Sequence, residues 1–157
     1  MSLFKNPRII NDKNIKDPRK LPGFIKKSFW MSVDGGDVWF EHLDGIYEYE
    51  TLVVEKLISD YETFRYPSMP SLIAVNLYET MITDNIIDNI AEKLTDKKHF
   101  TRVAFVGADK ISRHCITRSL SKRNSTFALA FIDDFQKAKE WAGFRKCINF
   151  IGGKGYA

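Results

Sequence analysis

Apolar residues recur along this chain with two different spacings, and the alternation between them lays out the fold. Ser71 to Leu77 (SLIAVNL) is a β-branched, apolar run bounded by Pro70, the pattern of a strand buried on both faces. A short polar turn follows. Then Ile86, Ile87, Ile90, Ala91 and Leu94 return at helical spacing. The three pieces read as one strand–turn–helix unit, with Asn76, Glu79, Thr80, Thr83, Asp84 and Asn85 gathered at its turn. In α/β proteins, ligands and partners meet the carboxyl ends of the strands, so this turn is the first candidate for function.

The rest of the chain repeats the alternation. Phe29 to Val33 and Val38 to Leu43 flank Asp34-Gly35-Gly36-Asp37, a hairpin signal. The period of two places Val38, Phe40 and His42 on one face, and Trp39, Glu41 and Leu43 on the other. Tyr49 to Tyr61 reads as a helix with Leu52, Val53, Leu57 and Tyr61 as its buried stripe, and Tyr66 to Pro70 as a loop. Thr101 to Val106 is the next strand, and Gly107-Ala108-Asp109 turns into a helix over Lys110 to Ser121. On that helix Cys115 and Ile111 are expected on the apolar face. Ser125 to Ile132 is a further strand. Asp133 is the expected N-cap of a last helix, with Gln136 completing a capping box and Phe135, Ala138 and Trp141 facing inward. Phe144 to Ala157 suggests an edge strand with a fraying end. The pattern shows no internal repeat. It predicts an α/β fold, with a single mixed β-sheet of about five strands, an opening hairpin and about four helices.

Length and composition narrow the class. A chain of 157 residues with 44% apolar content and twelve Phe suits one globular domain. No apolar run approaches the roughly 20 residues of a membrane span. The opening MSLFKNPRIINDKNIK lacks the apolar core of a signal peptide. Two cysteines, Cys115 and Cys147, predict no disulfide framework and suit a reducing cytoplasm. The formal charge of +4 is unevenly spread. Residues 1–27 hold eight Lys and Arg against two Asp, or +6, and the remainder sixteen against eighteen, or −2. With Pro7, Pro18 and Pro22, residues 1–22 read as a basic extended arm, and residues 23–157 as the single domain. The arm has too few aromatics for a nucleic-acid stacking platform, so neither nucleic acid nor membrane is strongly signalled. It is long enough to cover a neighbouring subunit, which would suit a homodimer.

Candidate chemistry is sparse. His42, His99 and His114 are scattered and neither cysteine has a near ligand partner, so no metal is expected. There is no G-x-S-x-G elbow, and Asp133 and Asp134 are better explained by capping than as paired carboxylates. No acid–base constellation assembles, so neither an enzyme nor a cofactor is expected. The turn at Gly107 leads to a helix N-terminus bearing Lys110 and Arg113, a weak anion-binding signal without the phosphate-loop motifs. Lys110, His114, Arg118 and Lys122 form a basic stripe, flanked by Arg113 and Arg123, expected to be a solvated face, with a docking surface for an acidic partner, lipid headgroup or phosphate as the alternative. Thr83 is the expected N-cap of the Asp84 helix, with Asp84 and Asp88 suiting its dipole. Glu79 and Thr80 precede that helix and are expected to face solvent. A small-ligand module binding lipid, nucleotide or another anion is the alternative, with Phe29, Trp30, Trp39, Phe40, Phe105, Phe127, Phe131 and Trp141 as a cavity lining.

Four stretches carry a family likeness over about Phe29 to Ala142: Leu43-Asp44-Gly45 after the hairpin, SLIAVNL with its turn and helix, VAFVGA, and FIDDFQKAKEWAG near the end. Together the chain resembles a STAS domain, the fold shared by anti-sigma-factor antagonists and sulfate-transporter tails. The resemblance implies a cytoplasmic regulatory module that binds a protein, such as a kinase-like anti-sigma factor, through the turn and helix at 78–88. The partner-binding residues it implies are Glu79, Thr80, Thr83, Asp84, Asn85 and Asp88. Family members carry a D-S-S/T-G-type motif whose second Ser/Thr is phosphorylated. Here Asp84 is retained, but Ile86 stands at the phosphoacceptor position and Ile87 at the Gly position. The usual phosphoserine switch is therefore not expected. Thr80 or Thr83 are the nearest substitutes, and a phosphate of about −2 beside Asp84 and Glu79 would repel an acidic partner.

Overall fold

The computed structural model describes residues 25–33, 36–65 and 70–143. The arm, the Asp34-Gly35 turn, most of the 66–70 loop, the expected edge strand in the tail, and Cys147 lie outside the described residues.

The chain forms β1 (Phe29–Val33), β2 (Gly36–His42), α1 (Glu50–Phe64), β3 (Leu72–Asn76), α2 (Asp84–Thr95), β4 (Arg102–Val106), α3 (Lys110–Lys122), β5 (Ala128–Ile132) and α4 (Phe135–Gly143). The five strands make one mixed sheet in the order β1-β2-β3-β4-β5. β1 pairs antiparallel with β2, and every later pair is parallel. This is the α/β architecture the alternation predicts.

The simple strand order fixes where the helices go. Each crossover joins neighbouring strands and steps in the same direction, and right-handed crossovers then put α1, α2 and α3 on one face. The interior of that face is built from large side chains. Trp39, Ile73, Val75, Val103 and Phe105 from the sheet meet Leu57, Ile86, Ile90, Ile116 and Leu120 from the helices. Burying each such side chain contributes about 1.5–3 kcal/mol. α4 crosses the opposite face. There Phe40, Ala74, Ala104 and Ala130 stand side by side in register. The three alanines let α4 lie close, with Ala138 and Trp141 buried against them. The guanidinium of Arg102 lies over the Trp141 ring and also donates to the Trp141 carbonyl, tying α4 to the amino end of β4.

Six sequence expectations need correcting. α1 runs one turn beyond Tyr61 because Phe64 is itself core, 5.1 Å from the Trp39 ring and 5.4 Å from Tyr61. β5 begins at Ala128 rather than Ser125. Residues 123–125 instead close α3, with Asn124 at φ 57 and the Ser125 amide donating to the Leu120 carbonyl. Asp133 does not cap α4; Asp134 accepts from the Gln136 amide, and Asp133 pairs with Arg113. Ile111 is 76% exposed, because it lies about 140° around α3 from the inward Ile116. Cys115 is half-buried against the front core rather than fully inside it. Thr80 is the sixth, and it belongs to the site.

Candidate functional site

The carboxyl ends of β2, β3 and β4 come out at one edge of the sheet, and the loops that follow are knitted together by their backbones. Leu43 donates to Asn76, Gly45 to Tyr78, Tyr47 to Glu79, and Met81 back to Tyr47. Leu77 donates to Val106 from the other side. The 77–83 turn is therefore held between two neighbours. Glu79 adopts φ 56 to make this path, a conformation that only surrounding contacts keep populated. Asn76 accepts from the Tyr78 amide through its side chain, which tightens the start of the turn.

Thr80 is the pin. It is 9% exposed; its hydroxyl donates to the Leu43 carbonyl at 2.6 Å and accepts from the Ile46 amide at 3.1 Å. It binds the β2 loop to the β3 loop and does not face solvent. A threonine among polar neighbours gives no sign of this; only the parallel pairing of β2 with β3 brings Leu43 to it. Thr83 caps α2 as expected, accepting from the Ile86 amide. Its hydroxyl also donates to Glu50 at the start of α1, and Asn85 reaches the other oxygen of the same carboxylate. Ile86 and Ile87 are buried.

What this turn shows to solvent is a mixture. Tyr78 is 57% exposed and Met81 39%, next to the exposed Glu79, Asp84, Asn85 and Asp88. The Asp84 and Asp88 side chains make no hydrogen bond or ion pair among the described residues. Of the candidate anion residues, Gly107 lies beside Tyr78. Gly107, at φ 85, packs so tightly that a Cβ there would come within 2.7 Å of the Tyr78 backbone. Arg113, however, has other partners. It donates to the Ala108 carbonyl at 2.9 Å and to Asp133 at 2.6 Å, and lies over the Phe131 ring. The Asp109 carboxylate already accepts from the Ser112 amide at the helix start. Of the basic pair, only the Lys110 side chain has no partner among the described residues.

Two acidic groups on β2 and just after it sit in opposite environments. Asp44 is buried, with Lys26 at 2.5 Å and His42 Nδ1 at 2.8 Å. Burial pushes its carboxyl up, but the hydrogen bonds from His42 and Lys26 outweigh this and hold it below the usual range. The hydrogen bond to Asp44 raises the Lys26 pKa in turn. The His42–Asp44 pair has the form of an oriented base, but His42 packs between the Phe29 and Phe135 rings and no hydroxyl or thiol hydrogen-bonds its Nε2 among the described residues. Glu41 is wholly buried, in register with Val75 and Phe105. Trp39 Nε1 donates to its Oε1 at 2.7 Å, and its Oε2 has no hydrogen-bond partner. Burial pushes this carboxyl well above the usual range, and the nearby Asp60 pushes it further, against the pull of Lys56 and Trp39. Asp60 itself is held by Lys56 and Ser28, at 2.7 and 2.8 Å. The sequence did carry a sign of Glu41, a charge on the inward side of the β2 alternation.

The eight aromatics considered as a cavity lining do not converge. Trp39, Phe105, Phe127 and Phe131 pack on the front of the sheet, while Phe29, Phe40 and Trp141 pack on the back. Trp30 is exposed at the β1 edge, against Trp39. Among the described residues no cluster of three or more His, Cys, Asp or Glu is placed to hold a metal. Nor is any helix there long and apolar enough to cross a membrane. Comparison with protein-family models, curated proteins and solved structures returns no match.

Proposed function

We propose that this chain is a non-catalytic protein-interaction module that binds its partner through the turn and helix at 78–88. The observation that carries this reading is the contrast inside the turn. Its backbone is pinned by Thr80 and four strand-end hydrogen bonds, yet it presents Tyr78, Met81, Asp84 and Asp88 outward. A rigid support carrying exposed aromatic, thioether and carboxylate groups loses little conformational entropy on docking. Exposed apolar groups rimmed by polar ones are a common feature of protein-binding surfaces.

The likeness to anti-sigma-factor antagonists agrees with this placement and suggests a regulatory partner in the cytoplasm. Control by the usual phosphoserine is not part of the proposal. Position 86 is occupied by a fully buried isoleucine, and the Thr80 and Thr83 hydroxyls are both engaged. The proposed mechanism is surface complementarity without covalent chemistry. Asp84→Arg should abolish capture of the partner in a pull-down from the native host while leaving the fold intact. Undiminished capture by that variant would remove the site assignment.

A further inference from the structure

α2 and α3 carry charge in a pattern their folding does not require. On α2, Asp84, Asp88, Glu92 and Asp96 succeed one another at intervals of four, all exposed. On α3, Lys110, His114, Arg118 and Lys122 do the same. Twelve residues of helix separate the ends of each ridge by about 18 Å. Each ridge lies nearly opposite the buried line of its helix, Ile86-Ile90-Leu94 on α2 and Ile116-Leu120 on α3, so both point away from the sheet. The two helices cross between parallel strands in the same sense, so they run side by side and in the same direction. The result is one surface with an acidic stripe and a basic stripe of equal length.

The chain itself makes little use of either stripe. Among the described residues the only ion pair on either ridge joins Glu92 to its neighbour Lys93, at 3.4 Å; Asp96 also accepts from the Tyr61 hydroxyl. Like charges four residues apart on a helix repel by about 0.2–0.5 kcal/mol per pair. Lys110 stands in the first turn of α3, where the helix dipole disfavours a cation. A solvated face would be better served by mixed charges on each helix.

We propose that this surface docks a second copy of the same chain, α2 of each copy against α3 of the other, about a two-fold axis parallel to the helices and between them. Rotation about that axis carries each acidic stripe over a basic one. Asp84 then meets the partner's Lys110, Asp88 the partner's His114, Glu92 the partner's Arg118 and Asp96 the partner's Lys122. A two-fold axis in the same plane but across the helices would set acid on acid, so the charges select the first. A uniformly charged partner, whether nucleic acid or an anionic membrane, would meet repulsion from α2 wherever it reached α3. The same rotation brings Ile111, in the first turn of α3, to the partner's Met81 just before α2. These exposed apolar groups supply an anchor, because exposed ion pairs alone are worth only about 0–1 kcal/mol each. The inference rests on the docking surface proposed above and names its occupant.

Analytical ultracentrifugation of the full chain tests it. The wild type should sediment as a dimer at micromolar concentration and dissociate as salt is raised. Asp88→Lys with Glu92→Lys should weaken the dimer by at least about tenfold, or about 1.4 kcal/mol, and so should His114→Glu with Arg118→Glu. Circular dichroism should show both double variants folded. An equimolar mixture of the two should recover the dimer mass, since reversed stripe then faces reversed stripe and native faces native. A monomeric wild type, double variants that stay dimeric, or a mixture that stays monomeric would each overturn the proposal. A monomeric wild type that still captures another protein in an Asp84-dependent way removes the second copy and keeps the docking surface. Loss of that capture as well removes both.

Discussion

The units β3–turn–α2 and β4–turn–α3 stand side by side, do the same topological work, and differ wherever the fold leaves them free. Their strands are in register and wholly buried, Leu72 against Arg102 through Asn76 against Val106. Their helices are both capped by a side-chain oxygen, from Thr83 in one and Asp109 in the other. Ile86, Ile90 and Leu94 of one and Ile116 and Leu120 of the other turn to the same core. The turns differ: the first is long, tied to β2 by Thr80 and studded with exposed groups, whereas the second is a three-residue corner pressed against the first. The outward faces differ most, acidic on α2 and basic on α3. Packing therefore accounts for the inner half of each unit and is indifferent to the outer half. The outer half is where recognition has room to be written.

The comparison can be broken at the point of contact between the turns. Gly107→Val should cost roughly 3 kcal/mol or more, because the position combines a left-handed φ with a Cβ clash against the Tyr78 backbone. Urea unfolding reads it directly, and a loss below 1 kcal/mol would mean the two turns are not pressed together. Thr80→Val keeps the shape but orphans the Leu43 carbonyl and the Ile46 amide. A loss of about 2 kcal/mol is expected, with faster amide exchange at Ile46; an unchanged exchange rate would show that Thr80 is not the pin. The caps sharpen the comparison more finely. Asp109→Ala should cost about 1 kcal/mol, and Thr83→Ala somewhat more, since it also frees Glu50. Equal losses would mean that the link between α1 and α2 contributes nothing.

The last contrast is read as a slope with pH and lies on the neighbouring strand. The raised pKa of Glu41 means the folded state keeps a proton that the unfolded chain releases above about pH 4.3. Its contribution to stability therefore falls as pH rises from there toward the raised value. Asp44 has the opposite sign: its lowered pKa contributes stability above about pH 3.9, and this is lost as pH falls through the folded value. Glu41→Gln keeps the oxygen that accepts from Trp39. It should gain on the wild type progressively as pH rises in parallel urea titrations; parallel curves would show that Glu41 is ionised in the fold.

Periodicity alone made the scaffold legible. Alternation in Val38–Leu43 sorted the two faces of β2, and the Ile86-Ile90-Leu94 spacing placed the inner face of α2. The failures share a cause. Thr80, Asp133 and Phe64 are each defined by a partner distant in sequence: Leu43, Arg113 and Trp39 respectively. A window of a dozen residues contains none of these pairs. Ile111 differs for a local reason: it is apolar and close to Cys115, but its helical angle points it outward. The acidic stripe of α2 was in plain sight, but it gains meaning only beside the basic stripe that the crossover topology sets next to it.

The central claim is that the outward face of the 78–88 segment is a docking surface and that exposure on α1 is incidental. The most direct measurement compares capture by the wild type, by Asp84→Arg and by Ile58→Arg, the last altering an exposed apolar residue on α1. All three should unfold within about 1 kcal/mol of one another, the largest loss falling on Asp84→Arg, which reverses a charge in the first turn of α2. The account predicts that Asp84→Arg alone loses the partner. Equal capture by all three proteins, or loss by Ile58→Arg instead, would contradict it.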